Sequence, residues 1–268
     1  MSATRILAIV AKEWADLRRN RAALLPVVAT AIACTTLPFL ITIGIPALIG
    51  EPLSSDDGLE DVLSDRGWMQ PQELDAESAA QAFIYQQFLV LFAIVPVVGA
   101  MTFASHSIIS EKQARTLEPL LATPLRTTEL LLAKIVASLL PSLLVAQVSA
   151  ALYFILIALV SGPAVVSAIL TARTLLIQLL IGPLAALVAL ELAVITSSRV
   201  NDPRTAQQVG VLVILPLSGL MIAQFSGSFW LTGRILAIFA AVLAILSVVL
   251  LAVGVRLFDR EAILTRWK

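Results

Sequence analysis

Charge is scarce in this chain. Asp, Glu, Lys and Arg make up 13% of its 268 residues, whereas 59% are hydrophobic and the mean hydropathy is +0.96. Soluble domains carry roughly 45–50% apolar and about 25% charged residues, so an ordinary water-soluble domain is excluded as the default. There is one cysteine, Cys34, within an apolar run. An intrachain disulfide is therefore excluded, and cysteine-based zinc spacing is absent. The only histidine, His106, has no second histidine or cysteine near it in sequence. The formal net charge is zero, so no basic bias points to nucleic acid. None of the twelve glycines is followed by lysine, which excludes a P-loop in this chain. No nucleophile–base pair or metal-ligand cluster stands out, which argues against an enzyme. The opening "MSATRILAIVAKEWADLRRNR" is interrupted by Lys12, Glu13 and Asp16, so it does not read as a cleavable signal.

Long apolar runs are what the chain does have. A membrane-crossing helix needs about 20 mostly apolar residues, and six windows qualify: 23–49, 83–106, 128–160, 168–197, 208–225 and 233–255. The fifth is short and ends in "FSGSFW", which leaves five spans plus a re-entrant turn as the competing count. With both termini on one side, fifteen Lys and Arg residues collect there and only Arg66, Arg173 and Arg234 fall opposite. Basic residues accumulate on the cytoplasmic side, so the expectation is an all-α integral membrane protein of six transmembrane helices with both termini cytoplasmic. Prolines sit in or near the ends of five of the six windows: Pro26, Pro38 and Pro46, then Pro96, Pro141, Pro183 and Pro216. Each interior proline removes a backbone hydrogen bond and tends to bend its helix.

The flanking segments divide the chain, a single transmembrane domain over 1–268, into parts. Residues 1–22 form an amphipathic helix with Arg5, Lys12, Asp16 and Arg19 on one face and Ile6, Val10, Trp14 and Leu17 on the other. A basic helix bearing Trp14 lies along a headgroup plane rather than across it. Residues 51–80 are an acidic extracytoplasmic loop, and Pro71 is suited to the first turn of a helix that follows. Residues 256–268 form a cytoplasmic tail. Trp68 and Trp230 fall on the outer side and Trp14 and Trp267 on the inner, a pattern of interface anchors.

"SEKQARTLEPLLATPLR", residues 110–126, interrupts the apolar pattern with five charges and two prolines. Ser110 and Gln113 have the spacing of a capping box, unless the second span runs straight through them. Pro119 disfavours helix at Glu118 and starts a new turn, and Pro124 ends it. Leu117, Leu120 and Leu121 make a small apolar knob rimmed by Glu111, Lys112, Arg115 and Glu118. Two readings fit these residues: an element that docks into a cleft on a cytoplasmic partner, or a hairpin whose leucines dip into lipid headgroups.

"EKQARTLEPLLATPLRTTELLLAKI" resembles the loop between spans 2 and 3 of ABC-2 type transporter permeases. "SSRVNDPRTAQQ" at 197–208 and the terminal "FDREAILTRWK" resemble that family too, and the overall layout agrees along the chain. The resemblance implies an exporter-type permease subunit that pairs with a second permease, identical or related, and with separately encoded nucleotide-binding ATPase subunits. ATP and Mg would then bind the partner, and this chain would hold no cofactor and no metal. It further implies that Leu117, Glu118, Pro119, Leu120 and Leu121 form a coupling helix docked on the ATPase. Arg115 and Glu111 would be charge partners at its rim, and residues 1–22, with Arg5, Lys12, Trp14 and Arg19, the elbow helix.

Glu191 is the only acid deep in an apolar run. Such a residue raises a translocation-pathway role. A protonated acid packed between helices, or an ion pair near the inner face, are the alternatives. For the chain as a whole, the competing functions are a stand-alone ion-coupled secondary transporter and a non-transporting membrane scaffold. Against the first, the spans hold little ionisable chemistry and no internal repeat is evident.

Overall fold

The structure, a computed structural model, describes residues 3–55, 74–115, 127–197, 200, 202–225 and 233–257. All regular structure among these residues is helical. That follows from composition, because backbone polar groups in hydrocarbon must be satisfied within their own segment. Helix α1 (Ala3–Arg19) comes first and is not one of the candidate spans. Asn20 separates it from α2, its Oδ1 accepting from Ala23 N at 3.2 Å and so capping the new helix.

Among the described residues, six helical stretches are long and apolar enough to cross a membrane. Span 1 (Arg21–Ile49) comprises α2 (Arg21–Phe39), a π-helical turn (Leu40–Gly44) and α3 (Ile45–Ile49), which Gly50 ends at φ 82°. Span 2 (Ala76–Gln113) comprises α4 (Ala76–Phe88), a 3₁₀ turn (Leu89–Ala93) and α5 (Ile94–Gln113). Span 3 (Leu131–Val160) lies within α6 (Thr127–Val160), and the short α7 (Pro163–Ile169) follows it. Span 4 (Ala172–Ser197) comprises α8 (Ala172–Leu176), a second π-helical turn (Ile177–Ile181) and α9 (Gly182–Ser197). Span 5 (Pro203–Ile222) comprises α10 (Pro203–Gln208) and most of α11 (Val211–Phe225), and α12 (Gly233–Leu257) holds span 6 (Gly233–Val255).

Span 2 is longer than its apolar window at both ends, since its polar ends, including Glu77, Gln81, Ser110 and Gln113, also hold helical geometry. The capping-box reading of Ser110 gives way to its alternative. The helix runs through to Gln113, and Ser110 Oγ donates back to Ser107 O at 3.0 Å. The proline-bracketed turn at 119–124, most of the acidic loop, the "FSGSFW" question and nearly all of the tail lie outside the described residues.

The prolines explain the irregular turns. A proline cannot donate to the carbonyl four residues back, and its ring crowds that carbonyl. Pro46, Pro96 and Pro183 therefore disturb Thr42, Phe92 and Leu179, and each of these lies inside one of the three non-α turns.

Span 2 is the axis of the bundle. Its most apolar stretch is 83% buried and that of span 4 56%, against 22–28% for the other four. Span 2 packs most extensively on span 4, then on α6 and α2. Gly99 lets spans 1, 2 and 3 meet: a Cβ there would lie 2.6 Å from Ser142 Cβ and 3.3 Å from Val27 Cγ1. The end of the bundle that carries α1, Lys112, Arg115 and Lys134 is termed the basic end below.

Candidate functional site at the base of spans 2 and 3

Residues 116–126 connect α5 to α6 in the sequence. Leu117, Glu118, Pro119, Leu120 and Leu121 lie outside the described residues, but both flanks are defined. On the departing side α5 ends at Gln113, and Arg115 turns the chain with φ 54°. A non-glycine residue in this left-handed region costs roughly 1–2 kcal/mol, so the exit direction of the chain is a built feature.

Glu111, expected among the rim charges, lies one turn earlier, buried and turned toward the other helices. Two ammonium groups meet its carboxylate. Lys12 Nζ of α1 lies 2.8 Å from Oε1, and Lys134 Nζ of α6 lies 2.8 Å from Oε2. Lys134 also contacts Glu13 Oε1 of α1 at 3.2 Å and donates to Ser107 Oγ of α5 at 2.8 Å. Lys12 is further flanked by Glu13 at 3.7 Å and Asp16 at 3.9 Å. Glu13, Glu111 and Lys134 are all buried, whereas Lys12 is half-exposed. One charged joint thus links α1, α5 and α6 where the segment 116–126 leaves and re-enters.

The electrostatics are balanced internally. Burial opposes ionisation of Glu13, but the Lys134 charge, with Ser107 and Lys12, outweighs it and holds the carboxyl below its ordinary value. Burial likewise opposes the charged form of Lys12. The Glu111 hydrogen bond and charge, with Glu13 and Asp16, hold its ammonium above its ordinary value. Beside the joint lies a half-open cavity of about 340 Å³, lined in part by Lys12, Asp16, Asn20, His106, Ser107 and Glu111.

A second contact fastens α1. Pro141 leaves the carbonyl of Ala137 without its helical donor, and Trp14 Nε1 donates to that oxygen at 3.2 Å. Val10 is buried and Leu17 partly buried on the same side, so the expected apolar face is the one that packs. Arg19 is exposed, and the side chain of Arg5 lies outside the described residues. Adjacent to Glu111, Lys112 points elsewhere: its Nζ donates to Val200 O at 3.2 Å, tying the base of span 2 to the connection between spans 4 and 5.

Glu191 is placed between spans 4 and 6. It is buried, its Oε1 accepts from Ser247 Oγ at 3.0 Å, and its Oε2 has no hydrogen-bond partner among the described residues. Among the described residues there is no group of three or more His, Cys, Asp or Glu able to hold a metal ion.

Sequence reasoning missed Glu13 and Lys134. The signal for Glu13 was an acid at the edge of the apolar face of α1, beside Ile6 in helical projection. For Lys134 it was a lone cation four residues into span 3, where an unpaired charge is costly.

A bundle of six apolar helices, an amphipathic helix fastened at one end and a charged joint at the root of a polar loop define a multi-pass α-helical membrane protein. A family model described as ABC-2 family transporter protein matches residues 7–232. The chain belongs to that family and is the membrane component of a transport system, an ABC-2 type permease. No curated protein matches it.

Proposed function

We propose that this chain is the membrane-spanning subunit of an ATP-driven exporter, working with a separately encoded nucleotide-binding ATPase and a second permease subunit. The chain is one transmembrane domain in the cell membrane, with its basic end and both termini cytoplasmic. ATP and Mg bind the ATPase. Residues 110–126 are the coupling segment, with Leu117, Glu118, Pro119, Leu120 and Leu121 seated on the ATPase and Arg115 at the rim. The observation that carries this reading is the joint of Glu111, Lys134, Glu13 and Lys12. A push on the segment reaches α1, α5 and α6 together, because buried ion pairs resist separation. Elements so linked move as bodies rather than deforming continuously.

The test is co-purification with the cognate P-loop ATPase after replacing Leu120 and Leu121 with Asp. Charging the apolar knob is expected to abolish the complex while leaving the permease in the membrane. Undiminished recovery of the ATPase with the double variant overturns the docking assignment.

A further inference from the structure

An open groove of about 450 Å³ runs between α2 and α6. Val28, Ile32, Leu144, Val148 and Leu152 help to line it, and all five are exposed, so the groove lies on the outside of the bundle. Its hydroxyls are spent on their own helices. Thr35 donates to Ala31 O at 2.8 Å, Thr36 to Ile32 O at 2.9 Å and Ser149 to Ala146 O at 3.0 Å. Helices that associate in hydrocarbon draw on hydrogen bonds across the contact, and this groove has no donor to spare. An alkyl chain needs none.

Helical register ties the groove to a cluster of cations. Arg21, Val28, Ile32 and Thr35 stand at i, i+7, i+11 and i+14, so they share one face of α2. Arg18, Arg19 and Arg21 flank the junction of α1 with α2, exposed and without an ion pair among the described residues. Asp16, the nearest acid in sequence, lies 3.9 Å from Lys12 instead. From Arg21 to Thr36 the helix rises about 22 Å at 1.5 Å per residue. One leaflet with its headgroups is about 20–22 Å deep, so this stretch of α2 matches the length of a single lipid. At the upper end Phe39 of α2 meets Tyr153 of α6, their ring centroids 5.7 Å apart.

Burial alone gives an acyl chain little reason to settle here, because the surrounding bilayer is equally apolar. Selection then rests on the headgroup. Guanidinium groups bind phosphate through paired, charge-assisted hydrogen bonds, and basic residues beside a span attract anionic lipids. We propose that this face holds one anionic glycerophospholipid of the leaflet at the basic end, with its phosphate at Arg21 and an acyl chain in the groove. The lipid joins the α1–α2 junction to α6.

Native mass spectrometry of the full chain tests this without any ATPase, so the result is independent of the coupling assignment. The detergent-purified protein is titrated with phosphatidylglycerol or with phosphatidylcholine bearing the same acyl chains. The first phosphatidylglycerol is expected to bind about fivefold more tightly than the first phosphatidylcholine, the share of one basic residue near an anionic surface. Arg21→Gln is expected to lose that preference, and Arg234→Gln, at the opposite end, to keep it. Val148→Phe fills the groove without altering a charge and is expected to lose the tight first site as well. All three replaced side chains are exposed, so the fold tolerates the changes. Equal binding of the two lipids overturns the site, as does a preference that survives Arg21→Gln or Val148→Phe, or one that Arg234→Gln removes equally. A shifted monomer–dimer distribution in Val148→Phe with lipid binding unaltered also overturns it, and assigns the groove to a second copy of the chain.

Discussion

Removing the Lys134 ammonium leaves Glu13 and Glu111 buried with only the half-exposed Lys12 to balance them. Breaking a buried pair by deleting one partner costs about 3–5 kcal/mol, so Lys134→Ala is expected to lower the thermal unfolding midpoint in detergent markedly. Replacing all three with neutral residues of similar volume (Lys134→Met, Glu13→Gln and Glu111→Gln) removes the uncompensated charge. The triple variant is expected to recover most of the loss, and a triple variant no better than Lys134→Ala argues against charge as the cause. Glu191 lies apart from this joint and accepts a hydrogen bond from Ser247. An amide at that position still offers an oxygen to Ser247, so Glu191→Gln is expected to keep both assembly and transport. Transport lost in a normally folded Glu191→Gln protein would return the pathway role to this residue.

Helix α1 is held by charge at one point and by the Trp14 bond at another, so its docking depends on pH. Glu13 has a folded value below its ordinary 4.5, so its contribution is complete above that value and is lost as pH falls through the lowered one. Lys12 is raised above its ordinary 10.5, so its contribution is complete below that value and fades as pH rises through the raised one. Lys134, Glu111 and Asp16 are the charged groups that face the pair, and His106 lines the same cavity. The contribution of this pair to stability is therefore expected to be flat between these limits and to fall in acid. Glu13→Gln should blunt the acid limb, as followed by thermal unfolding across a pH series. An unchanged acid limb in that variant would exclude Glu13 as its source. The irregular turns within spans belong to the same level of description. Their positions follow from Pro46, Pro96 and Pro183, but the donor that meets the Gln178 carbonyl comes from Gln147 of another helix.

The whole molecule has one charged, fastened end and one end built from short helical pieces and aromatic contacts. Phe39, Tyr85, Phe92 and Tyr153 cluster near the latter, with ring centroids 4.8–6.0 Å apart. The proposed topology, in which the fastened end is cytoplasmic, rests on the surplus of basic residues there. Single cysteines at Asp16 and Ser55 test this: an impermeant thiol reagent added outside intact cells is expected to label position 55 and to spare position 16 until the membrane is opened. The reverse pattern would invert the topology.

Much of the fold was legible before any coordinates. Six apolar runs, the basic-residue asymmetry, the packed face of α1 and the bend-prone prolines are all local or compositional properties, and hydrocarbon leaves the backbone little choice but helix. The candidate site was legible only in part. Residues 110–126 stood out because polar residues and prolines break an apolar pattern. Glu111 read as a rim charge because its partners lie 99 residues before it and 23 after it in the chain. Periodicity places a residue on a face of its own helix and is silent about which helix that face will meet. Only packing decided that Glu13, Glu111 and Lys134 share one buried contact, that Trp14 finds the carbonyl freed by Pro141, and that the irregular turns of spans 2 and 4 meet. Each of these depends on distances between segments remote in sequence, which side-chain packing sets and composition does not.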